Sequence, residues 1–133
     1  DAHDRIRKNV YNFFTNIAPA KQGQKMWSTF KDYQSTIADK GYIKAFVPCN
    51  ARSTNKHKAA TSLAYVLNLY FNSYQQTMFR QMGVEFDGDL YSLSTLVQWI
   101  WRSAIRDGKP VTLYLPSRRM RELLEGWLNS FET

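Results

Sequence analysis

One cysteine and two histidines are all that this 133-residue chain offers for thiol or soft-metal chemistry. With Cys49 alone no intrachain disulfide can form, and a reducing compartment fits best. His3, His57 and Cys49 lack zinc-site spacing, so no metal is expected. Long apolar runs are missing too: nothing approaches a membrane span, and the charged start DAHDRIRKN is unlike a signal sequence. No membrane partner is expected, and the cytoplasm is the expected location. The chain has no initiator Met, which suggests a processed product or a piece of something longer. Acidic residues are the minority, 11 against 18 Lys and Arg, and the net charge of +7 favours anionic partners.

What remains is an ordinary globular composition, 44% apolar and 22% charged, at a length that fits one compact domain. Aromatics at 15% are plentiful, for the core or for partners. No repeat or low-complexity segment interrupts the chain.

Apolar spacing predicts a helix from the N-cap Asp4 through Ile6, Val10, Phe13, Phe14 and Ile17, ending before Pro19. A second helix is predicted over residues 24–40, with Trp27, Phe30, Tyr33 and Ile37 on one face and Gly41 as its stop. YIKAFVPC reads as a short strand ended by Pro48, and a helix follows from about Ala59 to Tyr74. A short helix over residues 75–82 closes at Gly83. The acidic connection after it, with Glu85, Asp87 and Asp89, reads as a solvated loop rather than a cation site. A helix over residues 94–106 then stops at Asp107-Gly108, VTLYL is the clearest strand, and Ser117 caps a last helix. In that helix Met120, Leu123, Leu124, Trp127, Leu128 and Phe131 form a core stripe.

The expected fold is therefore α/β and helix-rich, with a small two- to three-strand sheet. It comprises a helical N-terminal segment, residues 1–40, and an α/β portion, residues 41–133. Two strands alone bury little and leave their edges open. Either a further strand is hidden, the sheet packs unusually on its helices, or the chain belongs to a larger sheet.

Functional residues concentrate late in the chain. At roughly 100° per residue, Leu96, Val97, Ile100, Trp101, Ala104 and Ile105 fill one half of the helix over 94–106. Gln98, Arg102 and Arg106 line the other half, flanked by Trp99, the one tryptophan placed as a possible base-stacker. Such a rank of guanidinium forks suits phosphate. Arg118, Arg119 and Arg121 crowd the first turn of the last helix, where the macrodipole disfavours cations. A bound phosphate, helped by the Ser117 hydroxyl, would account for them.

The order Gln-x-x-x-Arg-x-x-x-Arg, Asp-Gly-Lys-Pro, then VTLYLP resembles the sixth motif of superfamily-two (DEAD/DEAH-type) helicases and the strand after it. AFVPCNARSTN is similar to the fifth motif, which contacts nucleic acid. The stretch from about Gly41 to Trp127 also looks like the C-terminal RecA-like part of helicase-like proteins of phages and mobile elements. Trp101 stands where that motif has Gly, Ile105 replaces its last Arg, and Arg106 falls one place late. The resemblance implies a nucleic-acid-binding C-terminal fragment of a helicase-like ATPase. Arg102 and Arg106, with Gln98, would reach an ATP held by another domain or chain. Asn50, Arg52, Thr54 and Asn55 would touch DNA or RNA.

ATP is expected only with such a missing domain, because AKQGQKMWS departs from a phosphate loop and no strand carries an acidic metal box. The chain alone should bind no cofactor and turn over no ATP. Cys49 with Asn50 and His57 is better read as a packed thiol than as a nucleophile. Two alternatives remain: a free-standing basic DNA- or RNA-binding module, and a protein-interaction domain with an aromatic docking surface.

Overall fold

A computed structural model of the chain describes residues 2–50, 56–69, 73–85 and 87–131. Helix α1 (Ala2–Asn12) continues into a wide turn at Phe13–Ile17, and strand β1 (Lys25–Thr29) follows. A tight turn at Lys31–Tyr33 leads into the four-residue helix α2 (Gln34–Ile37). Strand β2 (Ser62–Val66), helices α3 (Ser73–Gln81) and α4 (Gly88–Ile100), strand β3 (Thr112–Tyr114) and helix α5 (Arg118–Asn129) complete the order. The strands form one parallel sheet in the order β1-β2-β3, with Met26 opposite Leu63 and Leu63 opposite Leu113. A single parallel bridge from Phe46 to Trp27 adds a rudimentary strand outside β1.

Alternation along the strands divides the core in two. Met26, Leu63 and Tyr65 pack on one face with Leu96 and Trp99 of α4 and Met120 of α5. Trp27 and Ala64 pack on the other with Val10, Phe13, Phe14 and Ile37. The sheet is thus covered on both faces, as parallel sheets require. Every one of those side chains is essentially buried, and each large apolar one contributes roughly 1.5–3 kcal/mol relative to exposure.

This burial explains the main corrections. Residues 24–40 do not form the predicted helix: KMWST is β1, and the segment 1–40 contributes a strand to the sheet. The hidden strand is the one that two strands alone lacked. Residues 62–66, predicted helical, are β2. Strands buried on both faces lose the polar alternation that marks a half-exposed strand, so apolar residues three or four apart imitate a helix. YIKAFVPC forms a tight turn at Ile43–Ala45 and one bridge at Phe46 rather than a regular strand. Asp4 lies inside α1, paired with Arg7 and Lys8, not at its cap.

The later elements follow the sequence more closely. Gly83 and Gly108 close their helical segments in the left-handed conformation, with φ of 79° and 78°. The stripe of α5 is only half core: Met120 is buried, whereas Leu128 is 50% and Phe131 68% exposed.

Candidate functional site

Helix α4 starts where the Asp87 carboxylate accepts the Leu90 amide at 3.1 Å, and it buries Ser92, Leu96 and Trp99. The cap places its start six residues earlier than the apolar spacing suggests. It also ends early, at Ile100. Ser103 closes that end by donating to the Ile100 carbonyl at 2.6 Å, and its oxygen caps a separate turn at Ala104–Asp107. The Ala104 amide then donates to the Ala60 carbonyl at 2.9 Å, docking this turn against the entrance of β2.

Gln98, Arg102 and Arg106 therefore do not share one continuous helix, yet the break keeps them together. With Val97 and Trp101 they line one cleft of about 220 Å3. The Gln98 side chain donates to Ser94 Oγ at 3.0 Å, and the Arg102 guanidinium donates to the Gln98 carbonyl at 2.9 Å. Gln98 and Arg102 also line a second cavity of about 370 Å3 with Asn50, Cys49, Tyr91 and Leu69. That cavity runs from the carboxyl end of β2 along the flank of α4. Of the expected nucleic-acid residues near the fifth-motif likeness, Asn50 is here. Arg52, Thr54 and Asn55 lie outside the described residues.

The local field is positive. Burial, and after it Lys56 and Arg102, hold the His57 imidazole below its ordinary pKa. Charge repulsion of this kind is relieved when an anion enters. The Cys49 thiol is pushed up by burial, the opposite of what a nucleophile needs.

Trp99 does not flank the arginines as a stacking platform. It is fully buried, its indole N–H donates to the Val47 carbonyl at 2.8 Å, and its ring meets Tyr65 at 5.1 Å. Trp101, placed by periodicity in the apolar half, is the tryptophan that lines the basic cleft, 57% exposed. Its amide still donates to the Val97 carbonyl at 3.0 Å, so the helical ladder reaches it; what differs from the expectation is the buried face of α4, which runs through Ser92, Leu96 and Trp99.

The basic start of α5 disperses. Ser117 caps the helix as expected, its oxygen accepting the Met120 amide at 3.2 Å. Arg118 pairs with Glu122 at 3.1 Å on the surface. Arg119 reaches Asp89 at 2.7 Å, the Leu69 carbonyl at 2.8 Å and Asn68 at 3.0 Å. Arg121 donates to the Leu115 and Pro116 carbonyls at 2.8 and 3.0 Å. None of these four residues lines the arginine cleft. Asp87 and Asp89 of the acidic connection serve as a cap and as the partner of Arg119.

The phosphate-loop likeness of AKQGQKMWS falls on the wrong side of its strand. A phosphate loop follows a strand and opens a helix, whereas the Gly23 turn precedes β1. Lys25 is committed there, donating to the Gly41 carbonyl at 2.7 Å and lying 5.9 Å above the Phe14 ring. Beyond the other end of β1 are residues that carry no motif in the sequence, among them Phe30, Lys31 and Gln34, which open onto a cavity of about 570 Å3.

No helix among the described residues is long and apolar enough to cross a membrane. The model of the YonV C-terminal Rossmann-like domain matches residues 1–128. The SPbeta prophage-derived uncharacterized protein YonV of Bacillus subtilis (strain 168) is 41% identical over 128 residues, covering 96% of this chain. The chain spans about 31% of that protein's length. No solved structure matches it. The prophage source of the relative agrees with the mobile-element likeness, and the matching family is described as a Rossmann-like domain. A parallel sheet covered by helices on both faces and a match over nearly the whole chain lead to one conclusion: this chain belongs to the YonV C-terminal Rossmann-like domain family.

Proposed function

We propose that this domain binds nucleic acid through its phosphates, at the cleft of Gln98, Arg102 and Arg106, as part of a longer phage-type protein. The observation that supports this reading is the convergence of the three side chains on one cleft even though their helix breaks at Ile100. Two guanidinium groups beside an amide offer forked donors at the spacing of phosphate oxygens. Lys56 adds to the positive field that the His57 imidazole senses, and Trp101 supplies an exposed ring at the rim. The helicase resemblance adds a finer role. In a longer chain, Arg102 and Arg106 would reach the phosphates of an ATP held by a neighbouring domain. None of the described residues forms a phosphate loop, so in this reading the ATP is held by the neighbouring domain.

The test is a salt titration of DNA and RNA affinity for the wild type and for Arg102→Gln/Arg106→Gln. Each phosphate left without its cation should reduce the slope of log affinity against log salt by about 0.9 on duplex DNA. A reduction of roughly 1–2 in slope is expected from the pair. An unchanged slope and affinity would return these arginines to an ordinary solvated surface.

A further inference from the structure

The sheet reverses its winding at β1. From β1 the chain passes through α2 and returns, parallel, at Phe46 on the outer edge of β1. It then crosses to β2 on the opposite side, so the spatial order is Phe46, β1, β2, β3. The packing records the reversal. Ile37 of α2 joins the core on the Trp27 face. Val47 and Ala60, at the two ends of the connection into β2, join the Met26 face, as do α4 and α5. Right-handed crossovers running in opposite directions place their connections on opposite faces. At such a switch point two connections part at the carboxyl ends of neighbouring strands and leave a crevice between them.

That crevice is present. A cavity of about 570 Å3 lies at the carboxyl ends of β1 and β2, within the size range of small-ligand sites. Thr29, the last residue of β1, turns its hydroxyl to the Val66 carbonyl at 3.0 Å and closes the gap between the strands. The walls divide by chemistry. Phe30, Phe46 and Leu67 are apolar, two of them aromatic. Lys31, Gln34 and Asn50 bring one cation and two amides. Phe30 and Lys31 are exposed, so the site is open.

We infer that this crevice is a second binding site, for a nucleoside 5′-monophosphate. The base would lie against Phe30 and Phe46, with Gln34 reading its polar edge, and the phosphate would meet Lys31 and Asn50. A single lysine balances a monophosphate better than a triphosphate. The site is distinct from the arginine cleft, since Gln98, Arg102 and Arg106 do not line it. Asn50 and Cys49 form the wall it shares with the cavity along α4. The same chemistry is offered by a free nucleotide and by the phosphorylated end of a nucleic-acid strand.

The experiment titrates the intact chain, by calorimetry and NMR, with each of the four common ribonucleoside 5′-monophosphates and with inorganic phosphate. At least one nucleotide should bind, and Lys31→Ala should weaken it roughly tenfold, the equivalent of one charge-assisted hydrogen bond. Phe30→Ala should weaken the nucleotide but not inorganic phosphate; Phe30→Leu serves if the alanine variant unfolds. Arg102→Gln should leave nucleotide affinity unchanged while lowering DNA affinity, which separates this site from the proposed function. Competition by a 5′-phosphorylated oligonucleotide, and not by its 5′-hydroxyl counterpart, would identify strand ends as the source. Displacement by neither would identify free nucleotide. The inference falls if none of the four nucleotides binds at millimolar concentration, or if Lys31→Ala and Phe30→Ala leave binding unchanged. Loss of nucleotide binding in Arg102→Gln alone would move the site to the arginine cleft.

Discussion

The indole N–H of Trp99 donates to the backbone carbonyl of Val47 at 2.8 Å, joining α4 to the segment that runs directly into Cys49 and Asn50. Both partners are buried. The bond spaces the walls of the cavity along α4, because Asn50 is on one wall and Gln98 and Arg102 on the other.

Trp99→Phe should therefore cost stability out of proportion to the atoms removed. It strands the buried Val47 carbonyl, a penalty of about 1–3 kcal/mol on top of the lost packing. Urea unfolding should show a lower midpoint at an unchanged slope. Trp101→Phe, on the exposed ring, should leave the midpoint in place. Equal effects of the two would mean that the Trp99 bond does not form.

Arg118 and Arg119, adjacent at the start of α5, should separate on mutation. Arg119→Met retains the stem but leaves the Leu69 carbonyl, Asn68 and Asp89 without this donor. A loss of about 1–3 kcal/mol is expected. Arg118→Gln removes only a surface pair with Glu122 and should be silent in a thermal melt. A melting temperature that rises in Arg119→Met would mean that repulsion from the helix macrodipole outweighs these hydrogen bonds.

His57 should make the domain acid-sensitive. Its pKa is lowered in the fold, first by burial and then by Lys56 and Arg102. The unfolded chain, with a value near 6.5, therefore takes up the proton more readily than the folded one. The stability linked to His57 is present above that value and is lost as pH falls through it toward the folded-state value. His57→Gln should flatten stability in that window. A phosphate bound near Arg102 should raise the His57 pKa, read from imidazole NMR shifts with and without DNA. No shift on DNA binding would place the bound phosphates away from Arg102.

Tyr65→Phe should cost nothing. The Tyr65 and Ser28 hydroxyls, on paired residues of β2 and β1, are buried and have no hydrogen-bond partner among the described residues. Removing an unpartnered buried hydroxyl is neutral or mildly stabilising. A clear drop in the urea midpoint of Tyr65→Phe would reveal a partner for that oxygen.

Features closed within a few residues were legible in the sequence itself. Ser117 capping α5, Gly83 and Gly108 ending their segments, and the strand in VTLYL need only local sterics and local hydrogen bonds. The basic arc of Gln98, Arg102 and Arg106 was legible for the same reason, since spacing by four survives a short helix break. Tertiary structure decided the rest. KMWST and SLAYV became strands because they pair edge to edge and are buried on both faces by helices from distant parts of the chain, and such burial erases the period-two signal. Trp99 and Trp101 exchanged their expected roles because the face of α4 that is buried runs through Ser92, Leu96 and Trp99. Arg119 found an acceptor on Asn68, 51 residues away, that no local rule anticipates. The crevice between Lys31 and Asn50 exists only because the chain turns back across β1, and a reversal of winding belongs to the assembled sheet.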